Sequence, residues 1–134
     1  MTAARHVLTI IAVADLARAR RFYADAFGWL LQVDAPSYAE FALPGGTRFG
    51  VYERRGFARN TGQLPVETPA GALSPTELYF HVEDLIGAID RVRRAGGRCL
   101  SELSAREWGD EAAYFADPDG NVLVLARPLR GAPG

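Results

Sequence analysis

The chain has 134 residues, 49% of them hydrophobic and 23% charged, with a formal net charge of −1. That length suits one domain able to bury its own core, and the charge balance argues against nucleic acid as a partner. A single cysteine, Cys99, excludes an internal disulfide, and only two histidines, His6 and His81, are available for catalysis or metal binding.

The N-terminus does not read as a signal peptide, because Asp15, Arg18, Arg20 and Arg21 arrive too early. No apolar run approaches the ~20 residues of a membrane span. The expectation is a cytoplasmic protein with no membrane partner. Leu8–Val13 is a short β-branched apolar run and reads as a buried strand. Asp15 stands where a helix N-cap belongs, and Leu16, Ala19, Phe22, Tyr23 and Ala26 recur at helical spacing. Gly28 supplies the stop. Strands are expected at Leu30–Val33, Tyr38–Leu43 and Arg48–Tyr52, separated by Pro- and Gly-containing turns. Glu53–Pro75 holds three glycines and three prolines with little periodicity and reads as a long loop.

Past the loop the pattern restarts. Glu77–Val82 reads as a strand, Asp84 as an N-cap, and Leu85, Ala88, Ile89 and Val92 as a helical stripe ended by Gly96-Gly97. Arg98–Leu103, Ala112–Ala116 and Asn121–Ala126 follow as strands, with Asp117-Pro118-Asp119-Gly120 turning between the last two. Asp15 and Asp84 are 69 positions apart, and so are Gly28 and Gly97. The chain therefore reads as a duplicated strand–helix–strand–strand–strand unit.

That duplication, with Phe22-Tyr23…Gly28 in the first half and Ala113-Tyr114-Phe115-Ala116-Asp117-Pro118-Asp119-Gly120-Asn121 in the second, resembles the vicinal oxygen chelate superfamily. Glyoxalase I, extradiol dioxygenases and bleomycin-binding resistance proteins belong to it. The resemblance implies an α+β fold in which two βαβββ modules form a cupped, half-barrel mixed sheet. It also implies one such domain over residues 1–134, with modules at about 6–55 and 75–128, and a homodimer. Enzymes of the superfamily hold a divalent metal on the cupped face. Carried over by position, the ligands fall on Leu8 and Glu77 at the module starts and on Val124 in the last strand, with Glu53 the only carboxylate on the first module's counterpart. Leu8 and Val124 are hydrocarbon, so no metal cofactor is expected.

Strand alternation puts Leu8, Ile10 and Ala12 on the cup face, together with Val122, Val124 and Ala126, and lines up Glu77, Tyr79 and His81. Tyr38, Phe41, Tyr52 and Tyr114 are candidate walls; Trp108 either lids the cup or packs on its loop, and Trp29, also a wall candidate, is expected in the core beside the helix stop. Cys99 reads as a small buried hydrophobe. Glu77, the one carboxylate on an otherwise apolar face, is a candidate base, a receptor for a cationic group, or half of an ion pair with Arg48 or Arg59. The preferred reading is a small-molecule-binding protein similar to the bleomycin-resistance branch, sequestering an aromatic or amphipathic compound through Leu8, Ile10, Tyr38, Tyr52, Glu77, Tyr79, His81, Trp108, Tyr114 and Val124. The alternative is a glyoxalase-like lyase, isomerase or dioxygenase that uses a divalent metal or Glu77 as base.

Overall fold

A computed structural model describes residues 2–130 of the chain. Strands β1 (Leu8–Val13), β2 (Leu30–Asp34), β3 (Tyr38–Ala42) and β4 (Arg48–Glu53) form one four-stranded sheet, with helix α1 (Leu16–Phe27) between β1 and β2. Helix α2 (Arg54–Thr61) follows. Strands β5 (Glu77–His81), β6 (Arg98–Ala105), β7 (Asp110–Ala116) and β8 (Val122–Pro128) form the second sheet, with α3 (Leu85–Ala95) between β5 and β6. The sheet orders are β1-β4-β3-β2 and β5-β8-β7-β6. In each, the first strand pairs parallel to the last and the other pairings are antiparallel. The fold is α+β, two βαβββ modules with an open mixed sheet apiece.

By contact density the chain divides into two compact units. One comprises residues up to Ala24 with Gly28–Glu67, the other Asp25–Phe27 with the residues from Thr68 onward.

In the first unit, alternation along the strands sends Ile11, Val13, Phe41, Phe49 and Val51 to the helix side, where all are buried. Tyr23 of α1 meets Phe49 at 4.7 Å between ring centroids and stacks on Trp29 at 6.1 Å. Tyr23 and Phe49, both fully buried, each contribute about 1.5–3 kcal/mol through area removed from water. Asp15 caps α1, accepting from the Arg18 amide at 3.0 Å, and Gly28 closes it in the left-handed conformation. In the second unit, Leu85, Ala88, Ile89 and Val92 of α3 supply the buried stripe, and Phe115, Leu123 and Leu125 are buried on the strands.

The Asp117–Asn121 turn is a hydrogen-bonded device. Asp117 Oδ1 accepts from the amides of Asp119 and Asn121, and its Oδ2 accepts from the Asn121 side chain at 3.0 Å. Gly120 has φ 83°, and a Cβ there would stand 2.6 Å from the Ala72 carbonyl oxygen. Only glycine suits it.

Three expectations need correction. The segment expected as a loop contains α2, because Glu53 Oε2 accepts from the Arg55 and Gly56 amides and starts a helix. That helix carries only Phe57 and Ala58 as apolar residues, so it shows no stripe in the sequence. Cys99 is exposed rather than buried, because β6 is an edge strand whose sole partner is β7. Strands β6 and β7 are also longer than expected, reaching Ala105 and starting at Asp110.

Candidate functional site: the two open sheet faces

Each sheet has a second face, turned away from its own helix, and this face carries the polar clusters. In the first unit, β1 brings Leu8, Ile10 and Ala12 opposite Arg48, Gly50 and Tyr52 of β4, which in turn pair with Ala42, Glu40 and Tyr38 of β3. Glu40 is buried, only 5% exposed. Its Oε1 accepts from the Tyr38 hydroxyl at 2.6 Å and its Oε2 from Arg48 Nη1 at 2.9 Å. Burial, reinforced by the contact with Glu40, pushes the Tyr38 phenol well above its ordinary value. Tyr38 also leans on Tyr52 at 4.9 Å, and Tyr52 meets Phe57 of α2 edge-on at 6.3 Å. A side chain at Gly50 would collide with the Tyr38 phenol, whose Cζ stands 2.8 Å from where the Cβ would be.

In the second unit, β5 presents Glu77, Tyr79 and His81 opposite Val122, Val124 and Ala126 of β8. The organising group is Asp110, the first residue of β7. Its Oδ2 accepts from the Tyr79 hydroxyl at 2.5 Å and lies 3.0 Å from His81 Nε2. Trp108 Nε1 donates to the Tyr79 oxygen at 2.8 Å. The Tyr79 hydroxyl and then His81 hold the Asp110 carboxyl below the usual carboxylate range. Desolvation, then the bond to Asp110, raises the Tyr79 phenol. Tyr79 and Trp108 remain exposed, Trp108 at 54%. Arg106 sits over the Tyr114 ring at 4.9 Å, its Nη2 donating to the carbonyls of Glu102 and Ala112 and to Ser101 Oγ.

Of the residues singled out from sequence, Tyr38 and Tyr52 meet on the first face, and Tyr79, His81 and Trp108 meet around Asp110 on the second. Leu8 and Ile10 flank Arg48 and Gly50. Val124 lies on the second face but is fully buried, clustered with Ala112, Ala126 and Tyr114. Glu77 is exposed at the start of β5 and has no hydrogen-bond or ion-pair partner among the described residues. Phe41 is not a wall of a cup: it packs on the helix side, 6.3 Å from Trp29, which lies in the core there as expected. Arg48 pairs with Glu40, the buried carboxylate of the first unit. Sequence reasoning missed Glu40, Asp110 and Arg106. Glu40 alternates with the apolar Ala39 and Phe41 in Tyr-Ala-Glu-Phe-Ala, a pattern that ordinarily marks solvent, and Asp110 lies just before the expected start of its strand.

The donor set does not fit a divalent metal. Leu8 and Val124 offer hydrocarbon, and the carboxylate of Glu53 is turned to the α2 amides. Among the described residues no three His, Cys, Asp or Glu side chains gather as a metal site. Two open hollows, of about 260 Å³ at the Asp117–Gly120 turn and about 310 Å³ between α3 and β6, lie away from the aromatic clusters.

A family model for the Glyoxalase/Bleomycin resistance protein/Dioxygenase superfamily matches residues 4–125. The chain belongs to this superfamily. A glyoxylase-like domain-containing protein from Didymella fabae is 28% identical over 126 residues, covering 88% of this chain and 90% of that protein. Among solved structures, a glyoxalase-related enzyme from Fulvimarina pelagi aligns with a TM-score of 0.80 at 20% identity, over 97% of this chain and 95% of the other. A glyoxalase/bleomycin resistance protein/dioxygenase from Nocardioides also aligns at 0.80, with 22% identity over 100% and 90% of the two chains. These structural likenesses establish the superfamily's fold for this chain; its chemistry has to be argued from its own side chains. No described helix is long and apolar enough to cross a membrane.

Proposed function

We propose that this superfamily member binds a small aromatic or amphipathic molecule on an open sheet face without a metal, as the bleomycin-resistance branch does. One observation carries the reading: Tyr79 and Trp108 are held by hydrogen bonds through Asp110 yet leave their rings exposed. Exposed aromatics normally fluctuate between rotamers. Rings fixed in advance cost a ligand less ordering entropy when it stacks on them. The hydrocarbon at Leu8 and Val124 supports the metal-free mode, and Ile10, Tyr38 and Tyr52 supply apolar surface on the first unit.

The test uses tryptophan emission. Planar aromatic compounds titrated into the protein should quench it saturably, and Trp108→Phe should remove most of the quenching while Trp29 keeps its own signal. Linear, non-saturating quenching that persists in the variant would refute the reading.

A second reading, a metal-free lyase or isomerase, draws on the His81–Asp110 pair. A carboxylate facing Nε2 orients the ring, and in the tautomer that donates from Nε2 to Asp110 the Nδ1 lone pair is open, the arrangement of an oriented base. It gives the base role to His81 rather than to the unpartnered Glu77. Under this reading His81→Gln lowers turnover of 2-oxoaldehydes by ~10²–10⁴ and spares binding. Under the binding reading the unaltered protein has no turnover above background.

A further inference from the structure

The first unit contains two choices that its fold alone does not require. Gly50 stands inside β4, between β1 and β3, where a β-branched residue would pack better and glycine weakens the strand. Glu40 is buried on β3, although a buried ion pair is often no more stable than hydrocarbon of the same size. Both choices have the same consequence. The space at Gly50 admits the Tyr38 phenol, the phenol and Arg48 satisfy Glu40, and Glu40 in turn fixes Arg48. Arg48 remains 42% exposed and gives one nitrogen, Nη1, to Glu40. The other N–H groups of its guanidinium have no protein partner among the described residues.

We propose that Arg48 is the docking point for an anionic group, a carboxylate or comparable oxyanion, on the amphipathic molecule bound by this protein. The inference rests on the binding reading above and adds the charge of the ligand. A guanidinium already held in one rotamer presents its remaining donors as a fork, which matches a planar oxyanion bidentately. The ordering cost has been met by Glu40 and Tyr38 before the ligand arrives. Leu8 and Ile10 border the site on β1, and Tyr52 lies four residues along β4, about 13 Å away at strand rise. The ligand therefore carries its charge at one end and an apolar or aromatic body at the other. Glu40 and Tyr38 act as positioning residues, because neither offers the ligand a free donor of its own.

Calorimetric titration with 2-naphthoate and 2-naphthamide, the same ring system with and without the charge, tests this. The unaltered protein should bind the naphthoate roughly 10- to 100-fold more tightly, the range of a charge-assisted bond. Arg48→Met alone would orphan the buried Glu40 and endanger folding. The double variant Glu40→Gln/Arg48→Met removes both charges together and keeps their bulk. In it the preference should vanish, the naphthoate binding no more tightly than the naphthamide, and Arg48→Lys should keep only part of the preference. Equal affinity for both compounds in the unaltered protein, or a preference that survives the double variant, would overturn the anion site and leave the binding reading intact. Binding of neither compound would overturn that reading and this inference with it.

Discussion

At Gly50 the missing side chain is the reason that Tyr38 can reach Glu40. Gly50→Ala is expected to cost about 1–3 kcal/mol of stability through overpacking against the phenol, read as a lower denaturant midpoint. Tyr38→Ala should relieve most of that cost, so the double variant is less damaged than the sum of the singles. Asp110 gives a pH signature. Its carboxyl is held below the usual range, first by Tyr79 and then by His81, so its contribution to stability is fully present above the unfolded carboxylate value of about 3.9. That contribution fades as pH falls through the lower folded value. Melting temperatures of the unaltered protein and of Asp110→Asn, followed from pH 6 downward, should converge at the acid end. A gap that stays constant with pH would mean that Asp110 acts by shape alone.

Helix α2 depends on one side chain at its start, with Glu53 Oε2 accepting from two amides. Glu53→Ala should cost about 1 kcal/mol and loosen Phe57 against Tyr52, visible as earlier amide exchange in 54–61 than in α1. An unchanged exchange pattern would show that packing on β4, rather than the cap, holds the helix. This element also shows where reading the sequence stopped working. Helices α1 and α3 were legible because Phe22, Tyr23, Leu85 and Val92 recur at helical spacing behind Asp15 and Asp84. The strands were legible from alternation, and the doubled order from the shared offset of caps and stops. Helix α2 has no apolar stripe, and an interior glycine disguised it as loop. The candidate site was half legible. Alternation put Tyr38, Tyr52, Tyr79 and His81 on faces away from the helices, but no local rule shows that a polar strand residue such as Glu40 is buried by its cross-strand neighbours. Glu77 looked enclosed because the sequence does not reveal how open the end of an edge strand is.

Each unit leaves strands at a sheet edge, and on β2 the edge exposes Leu30, Leu31 and Val33, with Leu30 at 69%. Apolar edges of this kind are ordinarily covered by a partner, so a symmetric homodimer is expected, with more than roughly 1,000 Å² buried in total. Sedimentation equilibrium at tens of micromolar should give twice the chain mass of 14.5 kDa, and Leu30→Lys with Val33→Lys should shift it toward the single chain. A monomer at that concentration would contradict the expectation. The claim on which the functional account turns is that this superfamily member recognises its ligand with side chains alone. The most direct measurement is a calorimetric isotherm for 2-naphthoate on chelator-treated protein, repeated after one equivalent of zinc or manganese per chain. Saturable binding with the same affinity is expected in both titrations. Heat of binding that appears only once the metal has been added would contradict it.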